Sequence, residues 1–243
     1  MMAFKNQSVF YLIGINIAVF ILANHLGIIP LDWFALFYPE NERFAFWQVI
    51  TYLFLHGSFA HLLFNMFALF SFGVALESLW GTKRFLIFYF ISGVGAAAIY
   101  TLVNYYQFSV IYDQLFEWGL SGREIQNVLN SGTINREVIN SISETQLMEF
   151  YSIFHTPAVG ASGAIYGILI AYAITYPNAK LALIFLPIPI SAKYFVPIVI
   201  GLDLFFGLTS YSMGNIAHFA HIGGALFGLL MMLWWKRGST PYR

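Results

Sequence analysis

Six stretches of roughly twenty apolar residues dominate this chain, and a water-soluble core has no room for them. They fall at about 9–29, 54–79, 85–106, 158–177, 194–212 and 217–235, and only two carboxylates, Glu77 and Asp203, lie inside any of them. A helix needs about 20 such residues to cross the ~30 Å of hydrocarbon in a bilayer. Of the 243 residues 59% are hydrophobic and 9% charged, against roughly 45–50% and about 25% in a soluble domain. The sequence therefore predicts an all-α polytopic membrane protein, a six-transmembrane-helix bundle forming one domain over residues 1–243.

The first run is too long for a secretory signal, whose apolar region spans roughly 7–15 residues, and Asn24-His25-Leu26 is not a small-residue cleavage site. It reads as a retained span. The apolar run 181–190 is short and broken by Pro187 and Pro189, which predicts a re-entrant or interfacial hairpin between the fourth and fifth spans. Basic residues set the orientation. With the N-terminus inside, the inner face holds Lys5, Lys83, Arg84, Lys180, Lys193, Lys236, Arg237 and Arg243, and the outer face only Arg43, Arg123 and Arg136. This distribution places both termini in the cytoplasm by the positive-inside rule. Trp80, Trp234 and Trp235 then suit an inner aromatic belt, and Trp33 and Trp47 an outer one.

Polar groups inside a span are expensive and default to function. Gly160-Ala161-Ser162-Gly163 opens the fourth span and Ala217-His218-Phe219-Ala220-His221-Ile222-Gly223-Gly224 opens the sixth. Ser162 stands 15 residues before Pro177, His221 15 before Lys236, and Asn65 15 before Trp80. All three spans run from outside to inside, so all three side chains sit roughly 22 Å above the inner boundary. A nucleophile and its base must meet that condition. His61 and Asn65 are four residues apart and share a helix face. Their imidazole and carboxamide, with the Ser162 backbone N–H, are suitable donors for an oxyanion; interhelical hydrogen bonding is the plainer alternative.

Together, His61-x-x-x-Asn65, Gly160-x-Ser162-Gly163 and Ala220-His221-x-x-Gly224-x-x-x-Gly228 resemble the motifs of the rhomboid family of intramembrane serine proteases. Tyr166, one turn after the serine, matches the family aromatic that packs on the catalytic imidazole. The resemblance covers residues 5–237 apart from an insertion. It implies a Ser–His dyad without a carboxylate that cuts transmembrane protein substrates within or beside their spans. Ser162 is then the nucleophile, His221 the general base and later the acid, and His61, Asn65 and the Ser162 amide the oxyanion donors. Gly224 and Gly228 let the sixth span approach the fourth. The chain departs from the family in its first outer loop, where Trp47-Gln48 stands in place of Trp-Arg, so that loop is expected to be anchored differently, with Arg43 as a candidate.

Other polar residues carry plainer expectations. His218 is a second candidate base, disfavoured by the glycine spacing. His56 is expected to orient the loop before the second span through a structural hydrogen bond, and His25 and His155 to be interfacial. Asp203, roughly 15 Å above the inner boundary, is too deep for an easy fit to His221, and a neighbouring hydroxyl is its expected partner. Glu77 is expected to pair with polar or basic groups such as Lys83 or Arg84. The six histidines show no HExxH or other zinc-ligand spacing, so no metal and no cofactor are expected. There is no cysteine and no net charge, and nucleic acid is not an expected partner.

Residues 107–155, between the third and fourth spans, form an extracytoplasmic insertion with six acids and two arginines. Ser121-x-x-Glu124 and Ser143-x-x-Gln146 read as capping boxes, so two or three short helices are expected. The segment is either a lid over the outer mouth or a solvated decoration, the latter slightly favoured, and not an independent domain. The expected setting is the lipid bilayer of a bacterial cytoplasmic membrane, with the active site opening to the extracytoplasmic side. Two rivals exist: a non-catalytic relative that binds or retains membrane clients, and a small-solute transporter. Both the serine and the histidine are present, which weighs against the first. The second lacks inverted repeats.

Overall fold

A computed structural model of the chain describes residues 7–132, 144–183, 186–209 and 217–238. The expected capping box at Ser143, the end of the fifth span at 210–212, and Lys5, Arg136 and Arg243 lie outside the described residues.

The chain folds as α1 (Gln7–Asn24), α2 (Phe59–Trp80), α3 (Thr82–Glu117), α4 (Gly122–Ser131), α5 (Glu144–His155), α6 (Ser162–Thr175), a two-stranded ribbon of β1 (Lys180–Leu183) and β2 (Leu186–Ser191), α7 (Ala192–Leu208) and α8 (His218–Gly238). Four helices, α1, α2, α3 and α8, are long and apolar enough to cross a membrane. α6 and α7 are shorter, at 14 and 17 residues. Large apolar side chains such as Phe64, Phe67, Leu202, Leu230 and Leu233 stand exposed on the helices. A surface of that kind needs lipid, not water, around it. The protein is a multi-pass membrane protein built almost wholly of helices.

The 181–190 segment is indeed a hairpin, but a β one. Its strands pair antiparallel with Lys180 opposite Ser191 and Leu181 opposite Ile190. Proline cannot continue a helix or donate to a ladder, and a two-stranded ribbon gives each strand a free edge on which it is tolerated.

One expectation is corrected and another is met only in part. α3 does not stop at 106 but runs on to Glu117, 36 residues or roughly 54 Å. Beyond the apolar run it turns amphipathic: Phe108, Ile111 and Leu115 are buried in a small core with Leu120, Ile125, Val128, Leu129, Phe150 and Phe154 of the insertion. Glu77 meets polar groups, as expected, but not the basic Lys83 or Arg84. Buried, it accepts the backbone N–H groups of Ser8 and Val9 at 3.1 Å each, the Ser8 hydroxyl, and the Thr82 hydroxyl at 2.7 Å. The amides at a helix start lack partners within the helix, so the carboxylate of α2 caps α1.

The center of the bundle is a seam of small residues among α3, α6 and α8. A Cβ on Gly167 would strike the Ser92 side chain, one on Gly223 would stand 3.1 Å from the Ala96 Cα, and one on Gly228 2.6 Å from the Gly167 Cα. Small side chains let helix backbones approach this closely.

Candidate active site

The seam places the serine and the histidine. Ser162 is the first residue of α6, and its N-cap, Ala161, has no side chain able to accept a hydrogen bond. The amide of Ser162 is therefore one of the helix-start N–H groups without an intrahelical acceptor. The approach to it is fixed by backbone. Leu36 and Ala158 exchange hydrogen bonds at 3.0 and 2.9 Å, and Gly160 N–H donates to the Tyr52 carbonyl at 2.9 Å. Gly160 has φ +127°, which L side chains rarely adopt, and a Cβ there would stand 2.7 Å from the His61 Nε2 and 3.6 Å from the Asn65 Nδ2. The glycine thus leaves open the space between the serine turn and the two candidate donors.

His221 lies one turn into α8, one turn before Gly224. A Cβ at Gly224 would overlap the Gly163 carbonyl oxygen, so only glycine lets α8 come this near. The result is a hydrogen bond of 2.8 Å from Ser162 Oγ to His221 Nε2. The Tyr166 ring stacks on the imidazole, with centroids 4.2 Å apart and planes 10° from parallel. That stack leaves the imidazole edge, not its face, toward the serine.

On α2, Ser58 caps the helix by accepting the His61 N–H at 3.1 Å. The Asn65 amide donates to His56 Nε2 at 2.9 Å, and the His56 ring packs edge-on against His61 at 5.0 Å. A carboxamide has two N–H donors, so this bond spends one and leaves the other. His56 does form the expected structural hydrogen bonds, with its carbonyl also taking one from Asn24 at 3.2 Å. Its ring, however, supports Asn65 and His61 directly, which the sequence reading missed. The available signal was a histidine five residues before His61 and nine before Asn65.

Asp203 is the larger correction. The depth count made it too deep for an easy fit, yet its Oδ1 accepts from His221 Nδ1 at 3.1 Å and from His218 Nδ1 at 2.6 Å. Its Oδ2 accepts from the Tyr166 hydroxyl, which is the hydroxyl partner expected. His218 therefore bonds the carboxylate and not the serine. The donor atoms of Asp203, His218 and His221 lie within 4.8 Å of one another, close enough for a cation, although hydrogen bonds already link each imidazole to the carboxylate.

The other histidines lie elsewhere. His155 donates to the Leu129 carbonyl at 2.6 Å inside the insertion, and His25 packs edge-on against Phe20. In the first loop Gln48 is fully buried. Its amide donates to the Arg43 carbonyl at 2.7 Å and its oxygen accepts from Phe37 N–H at 3.3 Å. Arg43 does contribute to the anchor, through its backbone, while its exposed guanidinium pairs with Asp32 at 3.4 Å.

The arrangement offers a hydroxyl on an imidazole, with N–H donors on a neighbouring helix: the parts of an acyl-transfer site. Comparisons with known proteins point the same way. The family model described as "Rhomboid domain" matches residues 43–237. Rhomboid protease AarA of Providencia stuartii is 29% identical over 200 residues, covering 77% of this chain and 55% of that protein. Rhomboid protein 1, mitochondrial, of Saccharomyces cerevisiae is 26% identical over 226 residues, covering 91% and 51%. Rhomboid protease GluP of Bacillus subtilis is 28% identical over 194 residues, covering 78% and 26%. The chain thus spans about half the length of the first two and about a quarter of the third.

Proposed function

Because the chain belongs to the rhomboid family, we propose that it is an intramembrane serine endopeptidase with Ser162 as nucleophile and His221 as general base. The observation that carries this is the 2.8 Å bond between Ser162 Oγ and His221 Nε2, made inside a bundle where an idle polar pair is costly. Ser162 Oγ attacks the scissile carbonyl while its proton passes to Nε2. The oxygen of the tetrahedral adduct takes its charge beside the Ser162 amide, the second Asn65 N–H and His61. Collapse expels the amine, protonated by the imidazolium, and leaves an acyl-enzyme that water hydrolyses with His221 again as base. Gly224 and Gly228 act by admitting the facing backbone, Gly160 and Gly163 by leaving room for the His61 and Ala96 side chains, and Tyr166 by holding the ring.

The substrates are transmembrane proteins cut in or beside their spans, where helix-breaking residues free the scissile carbonyl. Six spans with both termini inside put the site near the outer face, from which the hydrolytic water arrives. A bacterial cytoplasmic membrane is the proposed location. The relatives include a yeast protein named as mitochondrial, so fractionation of the source cell is the check on that point.

The test is fluorophosphonate labelling of detergent-solubilised protein together with cleavage of a model transmembrane substrate. Wild type labels at Ser162 and cleaves; Ser162→Ala does neither, and His221→Ala loses both activities while each variant keeps its melting temperature. A Ser162→Ala variant that still cleaves defeats the mechanism. A wild type that neither labels nor cleaves points to a client-binding relative.

A further inference from the structure

We propose that Asp203 is a positioning residue for the Ser162–His221 pair, which extends the dyad to a chain of Ser162, His221 and Asp203 held in place by His218 and Tyr166. The proposal rests on the reading of Ser162 as nucleophile and His221 as base.

The geometry supports a role beyond tying α7 to α8. An ionised carboxylate only accepts hydrogen bonds. The 3.1 Å contact from His221 therefore puts the ring proton on Nδ1 and leaves Nε2 bare, facing the serine hydroxyl at 2.8 Å. That is the tautomer a general base needs. Stacking on Tyr166 fixes the plane of the ring but does not choose between the tautomers. The carboxylate does.

The carboxylate is itself held. Oδ1 takes a second bond from His218 at 2.6 Å and Oδ2 one from the Tyr166 hydroxyl, so neither oxygen is without a donor. Tyr166 thus touches both ends of the arrangement, its ring on His221 and its hydroxyl on Asp203. Among the described residues no lysine or arginine pairs with Asp203; its ion-pair partners are the two histidines. A positive charge develops on His221 when Ser162 gives up its proton to Nε2. The imidazolium formed at that moment then lies against the carboxylate. An interaction that grows between ground state and transition state is the kind that raises kcat. An interhelical tie alone would need no charge.

In soluble serine proteases, exchanging the triad aspartate for asparagine lowers kcat by about 10⁴ because the wrong tautomer forms. Here the stacked tyrosine still holds the ring, so Asp203→Asn is expected to lower kcat about 10²- to 10³-fold, with KM for a transmembrane substrate essentially unchanged. The fluorophosphonate labelling rate of Ser162 falls in parallel. The distinguishing readout is the histidine tautomer, read from ¹⁵N shifts of labelled protein and assigned with His221→Gln. Wild type shows Nδ1–H with a bare Nε2 on His221, and Asp203→Asn shows gain of Nε2–H. Equal labelling rates and equal kcat in wild type and Asp203→Asn would overturn the proposal. So would an Nε2–H tautomer in wild type, a measurement that does not depend on the Asp203→Asn variant folding. Wild type that fails to label at all removes the protease reading instead, which keeps the two failures distinct.

Discussion

Replacing Gly224 with alanine should uncouple the serine from its base without touching either one. The added Cβ would overlap the Gly163 carbonyl oxygen and stand 2.6 Å from its carbon and 3.1 Å from the Gly163 Cα. Carbon atoms in good contact lie about 3.5–4.0 Å apart, so α8 must withdraw by roughly 1 Å. Gly224 is one turn from His221 on the same helix, and the imidazole retreats with it. A 2.8 Å bond lengthened by that amount passes ~3.6 Å, where a side-chain hydrogen bond no longer exists. Misplacement of about 1 Å costs on the order of 10² in rate, so kcat/KM for a model transmembrane substrate should fall at least that far. Forcing a methyl into a packed seam also costs about 1–3 kcal/mol, visible as a lower melting temperature in detergent. Gly201→Ala on α7 is the control, because nothing lies within 4 Å of its added Cβ, and it should leave both quantities unchanged. Wild-type turnover and melting in Gly224→Ala would refute the claim that close helix contact assembles the pair.

Gly160→Ala meets His61 Nε2 and forces an unfavourable φ on the serine turn; labelling of Ser162 should drop about 10²-fold, as measured by the rate of fluorophosphonate incorporation. Gln48→Ala strands the Phe37 N–H and the Arg43 carbonyl and should destabilise by about 1–3 kcal/mol, whereas Arg43→Ala, which removes an exposed pair with Asp32, should cost under ~1 kcal/mol; comparative thermal melts decide. Hydrogen bonds from the Ser121 side chain and backbone hold the Glu124 carboxyl below its ordinary range. A depressed carboxylate contributes stability above its unfolded-state pKa and loses it as pH falls through the folded one. Hydrogen exchange at the start of α4 should therefore speed up, relative to Ser121→Ala, only as the solution is acidified through that window.

The catalytic candidates were legible because their chemistry is local and their spacing periodic. Ser162, His221, His61 and Asn65 sit on helices running the same way, so counting residues from one boundary compared like with like. Asp203 defeated the count. It lies on α7, which runs in the opposite sense, starts at Ala192 where 194 was expected, and reaches its partners through side chains. Helix tilt and side-chain reach amount to several ångströms, and a one-dimensional sequence contains neither. The capping role of Glu77 was not legible for a related reason, since Ser8 and Val9 are 69 and 68 residues away. The extension of α3 was legible in principle: Phe108, Ile111 and Leu115 recur at helical spacing, but the fall in hydropathy after 106 was read as the end of the helix when it marked only the end of the apolar surface.

The unbroken length of α3 has a mechanical consequence. One stiff rod forms a wall of the seam at Gly95 and Ala96 and, about 28 Å further along, the spine of the insertion at Leu115. Pivoting it by 5° about Ala96 sweeps Leu115 sideways by roughly 2 Å. The insertion also grips the first loop, through Tyr38 in its core and the 2.7 Å bond from Asn41 to the Phe154 carbonyl. A load applied to the insertion is thus delivered as torque to the wall of the seam. The insertion behaves as a lever arm whose short end lies against the serine helix.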